Sequence, residues 1–128
     1  MASGTSEIDI DRSADDVWKV VGDFAGLASW MPGIEKCTLD GDVRTIEMSG
    51  MEIGEQLVAR DDAQRSLTYS IVSGPAPVDS HKATITVTPK GSGSHVTWAV
   101  EVAPDSMTEM FSGIYQQSLD ALKAHVEG

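Results

Sequence analysis

Apolar and polar residues alternate along most of the chain between residues 34 and 102, with the period of two that is typical of β-strands. The same alternation marks residues 7–11, where Ile8 and Ile10 share one face. Short polar turns such as residues 40–42 and 90–94 separate successive runs, which favours antiparallel hairpins. The predicted strands are residues 7–11, 34–39, 43–48, 52–60, 67–73, 78–88 and 96–102.

Three helices are predicted outside the strand-rich region. A first helix, capped by Ser13, is followed by a second short helix through residues 24–30. A long helix capped by Asp105 or Ser106 then extends to about Val126. Its apolar stripe has helical spacing and consists of Met107, Met110, Phe111, Ile114, Leu119 and Leu122.

The order of these elements predicts an α+β fold. One antiparallel sheet of seven strands, curved around the long C-terminal helix, would bury the apolar faces of both. A chain of 128 residues is long enough for a single domain, residues 1–128, with one core and one modest internal cavity.

Three polar side chains, Arg44, Glu55 and His81, stand at strand positions whose neighbours on the same face are apolar. Glu55, for example, shares its face with Ile53 and Leu57. Burying an unpaired ion costs several kcal/mol, so such groups must be paired, neutralised or wet. A cavity between sheet and helix would satisfy this condition. A structural Arg44–Glu55 ion pair, and a core histidine with its hydrogen bonds satisfied, are the competing interpretations.

Charge and composition exclude several functions. The net charge of −11 argues against nucleic acids and anionic membrane surfaces as partners, and favours a neutral ligand or one bound inside a pocket. The lone cysteine, Cys37, cannot form an internal disulfide and fits a small hydrophobic residue of a strand. We find no pattern of a signal peptide or of a membrane span, and expect a cytoplasmic protein, monomeric or homodimeric.

No motif for a metal or a nucleotide is present. His81, His95 and His125 lack metal-ligand spacing, and the acidic pairs fall in turns. The glycine- and serine-rich segment 91–94 joins two strands, unlike a phosphate-binding loop. The sequence therefore predicts no cofactor.

An ordered set of short segments carries a family resemblance. With these segments the chain resembles the START-related helix-grip superfamily (SRPBCC), and most of all its polyketide cyclase/dehydrase branch. This resemblance implies a ligand cavity between sheet and helix. The segments are Val17-Trp18, residues 23–27, residues 30–34, Cys37, residues 41–44, residues 55–57, Asp61-Asp62 with Arg65, and residues 69–71.

Two plant families within this superfamily sharpen the expectation. Lachrymatory factor synthases are similar through an arginine, a glutamate and a tyrosine at the positions of Arg44, Glu55 and His81, and the first two are implicated in catalysis there. Abscisic-acid receptors are similar at residues 49–51, their gate loop, and at residues 73–77, their latch. His81 in place of the tyrosine argues against the particular substrate of lachrymatory factor synthases. The missing latch triplet argues against a hormone-receptor role, but the similarity still implies paired loops at the mouth of a pocket.

Acid–base chemistry is the activity that these residues suggest. Burial would oppose ionisation of Glu55 while Arg44 would favour it, so Glu55 could carry a proton. Arg44 could hold an anion, His81 could exchange a proton, and Tyr69 is a fourth candidate. The reaction would be a cyclisation, dehydration or isomerisation of a small hydrophobic or aromatic ligand. A non-catalytic carrier or sensor, and a module with ligand-gated loops, are the alternatives. The expected ligand-binding residues are Tyr69, Trp30, Met48, Ile53, Leu57, Ile71, Ile85, Trp98, Met107, Phe111 and Ile114.

Overall fold

A single antiparallel sheet contains about half of the residues that the computed structural model describes, which are 2–74 and 78–128. The order of its strands is β1-β7-β6-β5-β4-β3-β2, so the first strand pairs with the last. The predicted seven-stranded sheet is confirmed. The strands are β1 (Ala2–Ile10), β2 (Lys36–Asp40), β3 (Val43–Met48), β4 (Met51–Asp61), β5 (Ser66–Ser73), β6 (Ser80–Lys90) and β7 (Gly93–Ala103).

β1 is longer than its alternating pattern predicted. It begins at Ala2 rather than near residue 7, because its backbone pairs with β7 from Ala2 opposite Val102 to Ile10 opposite Ser94. Its first residues are small and polar, so their strand conformation depends on the neighbouring strand rather than on their own pattern.

The first helix, α1 (Ala14–Val21), begins where the sequence predicts, since the Ser13 side chain accepts a hydrogen bond from the Asp16 backbone N–H at 3.1 Å. The predicted second helix is reduced to one 3-10 turn, Leu27–Ser29. Within the predicted helix, the Phe24 carbonyl instead accepts a hydrogen bond from Arg44 Nη1 at 2.9 Å.

The long C-terminal helix, α2 (Thr108–Glu127), begins later than predicted. A 3-10 turn, Asp105–Met107, precedes it, and neither Asp105 nor Ser106 caps it. The helix packs on β1 and β7, and the Ser6 hydroxyl donates to the Ser112 carbonyl at 2.8 Å. The buried face of α2 consists of Phe111, Tyr115, Ser118, Leu119 and Leu122.

The packing of α2 determines where a cavity can form. The helix lies against β1 and β7 at one side of the sheet, whereas β3, β4 and β5 lie on the other side. The N-terminal half of α2 therefore faces β3–β5 across a gap, and residues 27–34 contribute to its wall. The hairpin 49–51 lies at this end, and Met51 is both exposed and part of the cavity wall. Of the predicted second loop, residues 75–77 lie outside the described residues.

Candidate functional site

The gap between sheet and α2 is a cavity of about 390 Å³. Its wall is almost entirely apolar, and the charged groups in it are Arg44 and Glu55. The predicted site residues that the structure brings together there are Arg44, Met48, Ile53, Glu55, Tyr69, Ile71, Trp98, Phe111 and Ile114.

Four apolar residues predicted for the wall lie elsewhere. Trp30 packs against Trp98, with ring centroids 6.4 Å apart, and is thus one ring away from the cavity. Leu57 is half-buried two residues after Glu55, on the same face of β4. Ile85 is buried on β6, a strand that α1 contacts. Met107 packs on the core in the 3-10 turn before α2, so the helical wall begins one turn later.

His81 does not reach the cavity either, because it lies behind two aromatic residues of α2. Its ring centroid is 5.0 Å from that of Phe111, and its Nε2 atom is 2.9 Å from the Tyr115 hydroxyl. His81 therefore contacts a cavity-lining group without itself lining the cavity.

Seven wall residues were not predicted. Most carry a signal that sequence reasoning could have used: Ile46 shares a strand face with Arg44 and Met48, while Tyr115 is one helical turn after Phe111. The position of the segment after α1 depends on tertiary packing and gave no such signal. The seven residues are Leu27, Met31, Ile34, Ile46, Met51, Met110 and Tyr115.

Arg44 and Glu55 form a buried ion pair across neighbouring strands. They stand directly opposite each other on β3 and β4, and Glu55 Oε1 accepts from Arg44 Nε at 2.8 Å and from Nη2 at 2.7 Å. Both side chains are about a tenth exposed or less. Since Oε1 takes both bonds, Oε2 has no hydrogen-bond partner among the described residues.

The guanidinium of Arg44 is held on several sides. Nη1 donates to the Phe24 carbonyl, and the guanidinium carbon lies 3.9 Å from the ring centroid of Phe24 and 4.8 Å from that of Tyr69. Such stacking suits the planar, weakly hydrated guanidinium. With its Nε, Nη1 and Nη2 all bonded to protein groups, Arg44 is a fixed counter-ion to Glu55.

An irregularity in the sheet accompanies Glu55. The pairing of β4 with β5 shifts between Gly54, opposite Ser73, and Glu55, opposite Ile71, which leaves Val72 as the extra residue. A bulge of this kind changes the direction of nearby side chains. Gly54 permits the close approach here, because a Cβ at this position would overlap the Ser73 hydroxyl.

Burial dominates the electrostatics of Glu55. Loss of water raises the pKa of the Glu55 carboxyl above its ordinary value, and the adjacent Arg44 opposes this shift by favouring the charged form. The carboxyl thus holds a proton more readily than an exposed glutamate does, which suits a group that exchanges protons.

A second polar feature of the site is a hydrogen-bonded set of aromatic side chains, which we call the tyrosine network. It consists of Trp98, Tyr69 and Tyr115, which line the cavity, and of His81 behind them. Trp98 Nε1 donates to the Tyr69 hydroxyl at 3.2 Å, which in turn lies 3.3 Å from the Tyr115 hydroxyl. The Trp98 and Tyr115 rings are stacked, with centroids 4.3 Å apart and planes 3° from parallel. Burial raises the pKa of both tyrosines, so both hydroxyls keep their protons.

His81 is neutral in this network. Its Nδ1 atom accepts the Ile71 backbone N–H at 3.2 Å, so the ring hydrogen resides on Nε2, which donates to Tyr115. Burial lowers the pKa of His81 to about 4, because the charged ring would lose its hydration.

Other chemical groups lie away from the cavity wall. Cys37 is half-buried opposite Ile46, and burial raises the pKa of its thiol, which suits packing rather than reactivity. Within residues 2–74 and 78–128, no three His, Cys, Asp or Glu side chains lie together as a metal site would require. No helix in these same segments has the length and apolar character needed to cross a bilayer.

Comparisons with solved structures give related proteins of the same fold. XoxI from Bacillus cereus is 34% identical over 97% of this chain and 94% of its own, with a TM-score of 0.91. An uncharacterised protein from Bacillus thuringiensis is 30% identical over 99% of this chain and all of its own, with a TM-score of 0.92. The di-domain ARO/CYC protein BexL of the BE-7585A biosynthetic pathway shares the fold at 18% identity, over 99% of this chain and 47% of its own, with a TM-score of 0.85.

The sequence comparison identifies the family. None of the curated proteins compared with the chain matches it. A family model described as "Polyketide cyclase / dehydrase and lipid transport" matches residues 1–127, which is nearly the whole chain. The resemblance derived from short segments is thereby confirmed, and the protein belongs to the polyketide cyclase/dehydrase and lipid transport family.

Proposed function

We propose that the cavity binds a small apolar or aromatic molecule that carries oxygen, and that Glu55 moves a proton on this molecule. One observation carries the proposal: Glu55 belongs to a largely apolar wall, with Oε1 held by Arg44 and Oε2 free of hydrogen bonds to the described residues. A carboxylate with one fixed and one free oxygen is oriented for proton transfer.

The size and composition of the cavity support a small-molecule ligand. A volume of about 390 Å³ lies within the range of ligand pockets in proteins. The wall includes four methionines, whose flexible side chains adapt to differently shaped apolar ligands. They are Met31, Met48, Met51 and Met110.

The reaction that fits these groups is proton transfer next to a carbonyl. The Glu55 carboxylate would take a proton from carbon, and the resulting acid would return it at another position of the same molecule. Such a cycle serves isomerisation, dehydration and aldol-type cyclisation without a cofactor. Arg44, which donates to Glu55 through Nε and Nη2 and to Phe24 through Nη1, would keep the carboxylate in place and ionisable.

A non-catalytic carrier or sensor is the second candidate. It is favoured by the mouth of the cavity, where Met51, Met110 and Ile114 are wall residues that are also more than two-fifths exposed. Exposed apolar side chains at an entrance suit the uptake and release of an apolar molecule. The description of the matched family also includes lipid transport.

The first experiment identifies the ligand. Native mass spectrometry of the purified protein, with a denatured sample as control, would release and weigh any co-purifying molecule. Glu55→Gln keeps the shape of the side chain but cannot accept a proton. In an enzyme it should abolish turnover of the identified scaffold while affinity falls less than ten-fold, whereas a carrier has no turnover to lose.

Glu52→Gln is the matched control, because Glu52 is exposed on the same strand and its substitution changes the net charge by the same amount. A protein that purifies empty and binds none of a panel of aromatic ketones and phenols would contradict the proposal.

A further inference from the structure

The tyrosine network contains one hydrogen more than it can use. Four hydrogens enter it: the Trp98 indole N–H, the two tyrosine hydroxyl hydrogens and the His81 Nε2–H. The network has three contacts between these groups, namely Trp98 to Tyr69, Tyr69 to Tyr115, and His81 to Tyr115. Each contact uses one hydrogen, so one hydroxyl hydrogen has no acceptor among the described residues.

The directions of these bonds place the spare hydrogen on Tyr115. An indole N–H can only donate, so Tyr69 accepts from Trp98 and uses its own hydrogen toward Tyr115. The His81 ring also donates to Tyr115, because its Nδ1 is occupied by the Ile71 N–H. The Tyr115 oxygen therefore accepts twice, its hydrogen has no acceptor among the described residues, and the Tyr115 side chain is part of the cavity wall.

Resting on the proposed function, we propose that Tyr115 donates this hydrogen bond to a neutral carbonyl oxygen of the cavity ligand. A hydroxyl that already accepts two hydrogen bonds is a stronger donor, because hydrogen bonds in a chain polarise one another. Stacking on Trp98 at 4.3 Å holds the phenol ring in one orientation. The substrate class is thereby narrowed from oxygenated molecules to ketones and related carbonyl compounds.

The surroundings of Tyr115 favour a neutral acceptor over an anion. The positive charge of Arg44 is already paired with Glu55, and the rest of the wall is apolar or a neutral hydroxyl. A bound carboxylate would lie unpaired in this environment, near the negative charge of Glu55, whereas a carbonyl oxygen needs only one donor.

This assignment completes a proton-transfer step. When Glu55 removes a proton from the carbon next to the carbonyl, the C–H bond breaks and its electron pair moves to the carbonyl oxygen as an enolate. The Tyr115 hydrogen bond strengthens as this charge develops, which is the condition for lowering a barrier. Return of the proton from Glu55 to carbon restores the carbonyl and the carboxylate.

The test compares two ligands of matched shape. 2-Acetylnaphthalene, labelled with ¹³C at its carbonyl, has an acceptor oxygen, whereas 2-isopropenylnaphthalene has the same outline without one. We would measure the affinity of both, and the infrared carbonyl stretch of the bound ketone, in wild type, Tyr115→Phe and Tyr69→Phe. In wild type the stretch should lie well below its frequency in cyclohexane. Tyr115→Phe should return it to that frequency and weaken ketone binding about three- to ten-fold, the value of one neutral hydrogen bond.

The hydrocarbon should bind wild type and Tyr115→Phe equally, which verifies that the variant keeps a folded cavity. Tyr69→Phe should retain the lowered stretch, because Tyr115 still receives the His81 hydrogen and still donates. Two results would overturn the assignment while leaving a ligand cavity in place. One is a carbonyl frequency in wild type equal to that in cyclohexane. The other is a lowered frequency that is lost in Tyr69→Phe but kept in Tyr115→Phe. Failure of both compounds to bind would overturn this inference, whereas the proposed function would fall only if the protein also purified empty and bound none of the panel of aromatic ketones and phenols.

Discussion

The Nε2 atom of His81 lies 2.9 Å from the hydroxyl oxygen of Tyr115, and the opposite side of the same imidazole accepts the Ile71 backbone N–H. One buried ring thus connects the backbone of β5 to a side chain of α2. Because Nδ1 needs its lone pair for this bond, the connection exists only while His81 is neutral. His81 therefore fixes both the position and the hydrogen-bonding of a cavity-lining tyrosine.

The first prediction concerns pH and stability. The pKa of folded His81 is about 4, whereas an unfolded chain takes up this proton near pH 6.5. Between these values the unfolded state binds more protons, so the contribution of His81 is fully present above pH 6.5 and is lost as the pH falls toward 4. Replacing His81 by Gln, which does not titrate, should reduce the loss of unfolding free energy between pH 7.5 and pH 4.5 by about 2 kcal/mol.

Urea unfolding at the two pH values measures this difference. His125→Gln is the matched control, since it makes the same substitution at an exposed histidine near the end of α2. Equal losses in wild type and His81→Gln would show that His81 does not resist protonation in the folded state.

The second prediction concerns the Arg44–Glu55 pair. Arg44→Met leaves the Glu55 carboxyl buried beside an apolar side chain, which should lower the unfolding free energy at pH 7.5 by about 3–5 kcal/mol. The double variant Arg44→Met/Glu55→Leu removes both charges, so it should recover most of this loss. Lowering the pH should also relieve the single variant, because protonation neutralises the unpaired acid.

Denaturant unfolding of Arg44→Met, Glu55→Leu and the double variant gives the coupling energy between the two residues. Lys90→Met is the matched control: the Lys90–Asp9 pair, at 2.7 Å, is exposed to water, so its loss should change the unfolding free energy far less than the loss of the buried pair. Losses that simply add in the double variant would contradict a coupled buried pair.

The strand pattern of the sequence turned Arg44 and Glu55 inward and left a cavity site and a structural ion pair as competing interpretations. The tyrosine network shows where such reasoning ends. Arg44 and Glu55 interrupt apolar faces, and strand periodicity alone turns them toward the core. His81 gave the same signal, but periodicity specifies a face and not the depth at which α2 covers it. Tyr115 fitted the helical stripe after Phe111, yet its partners come from β5, β6 and β7, and no local pattern encodes that meeting.

The third prediction concerns the bulge beside Glu55. Gly54→Ala would bring a Cβ into the hydroxyl of exposed Ser73, which must rotate away, so we expect a loss of no more than about 1 kcal/mol in unfolding free energy and slightly weaker binding of 2-acetylnaphthalene. Adding Ser73→Gly removes the overlapping atoms and should restore much of the unfolding free energy and of the affinity for 2-acetylnaphthalene.

Gly113→Ala provides a control of opposite sign. Gly113 is exposed within α2, and a Cβ there meets no atom within 4 Å. Alanine favours the helix, so this variant should gain about 0.5–1 kcal/mol. Thermal or urea unfolding of these variants distinguishes a steric effect at Gly54 from a general effect of Gly→Ala, and failure of Ser73→Gly to rescue Gly54→Ala would contradict the steric explanation.

The fourth prediction uses the stacking of Trp98 on Tyr115 to report on the cavity. Trp98 is a wall residue, whereas Trp18 lies on α1, with its indole N–H donating to Asp62 at 3.1 Å, away from the cavity. An aromatic ketone in the cavity would contact the Trp98 indole and change its fluorescence, because indole emission responds to its immediate environment. Addition of 2-acetylnaphthalene should therefore alter the emission of wild type and of Trp18→Phe to the same extent. Trp98→Phe should lose most of this response while still binding the ketone, as measured by calorimetry. A response that depends on Trp18 instead would place the ligand outside the cavity, because only Trp98 shares a wall with Glu55 and Tyr115.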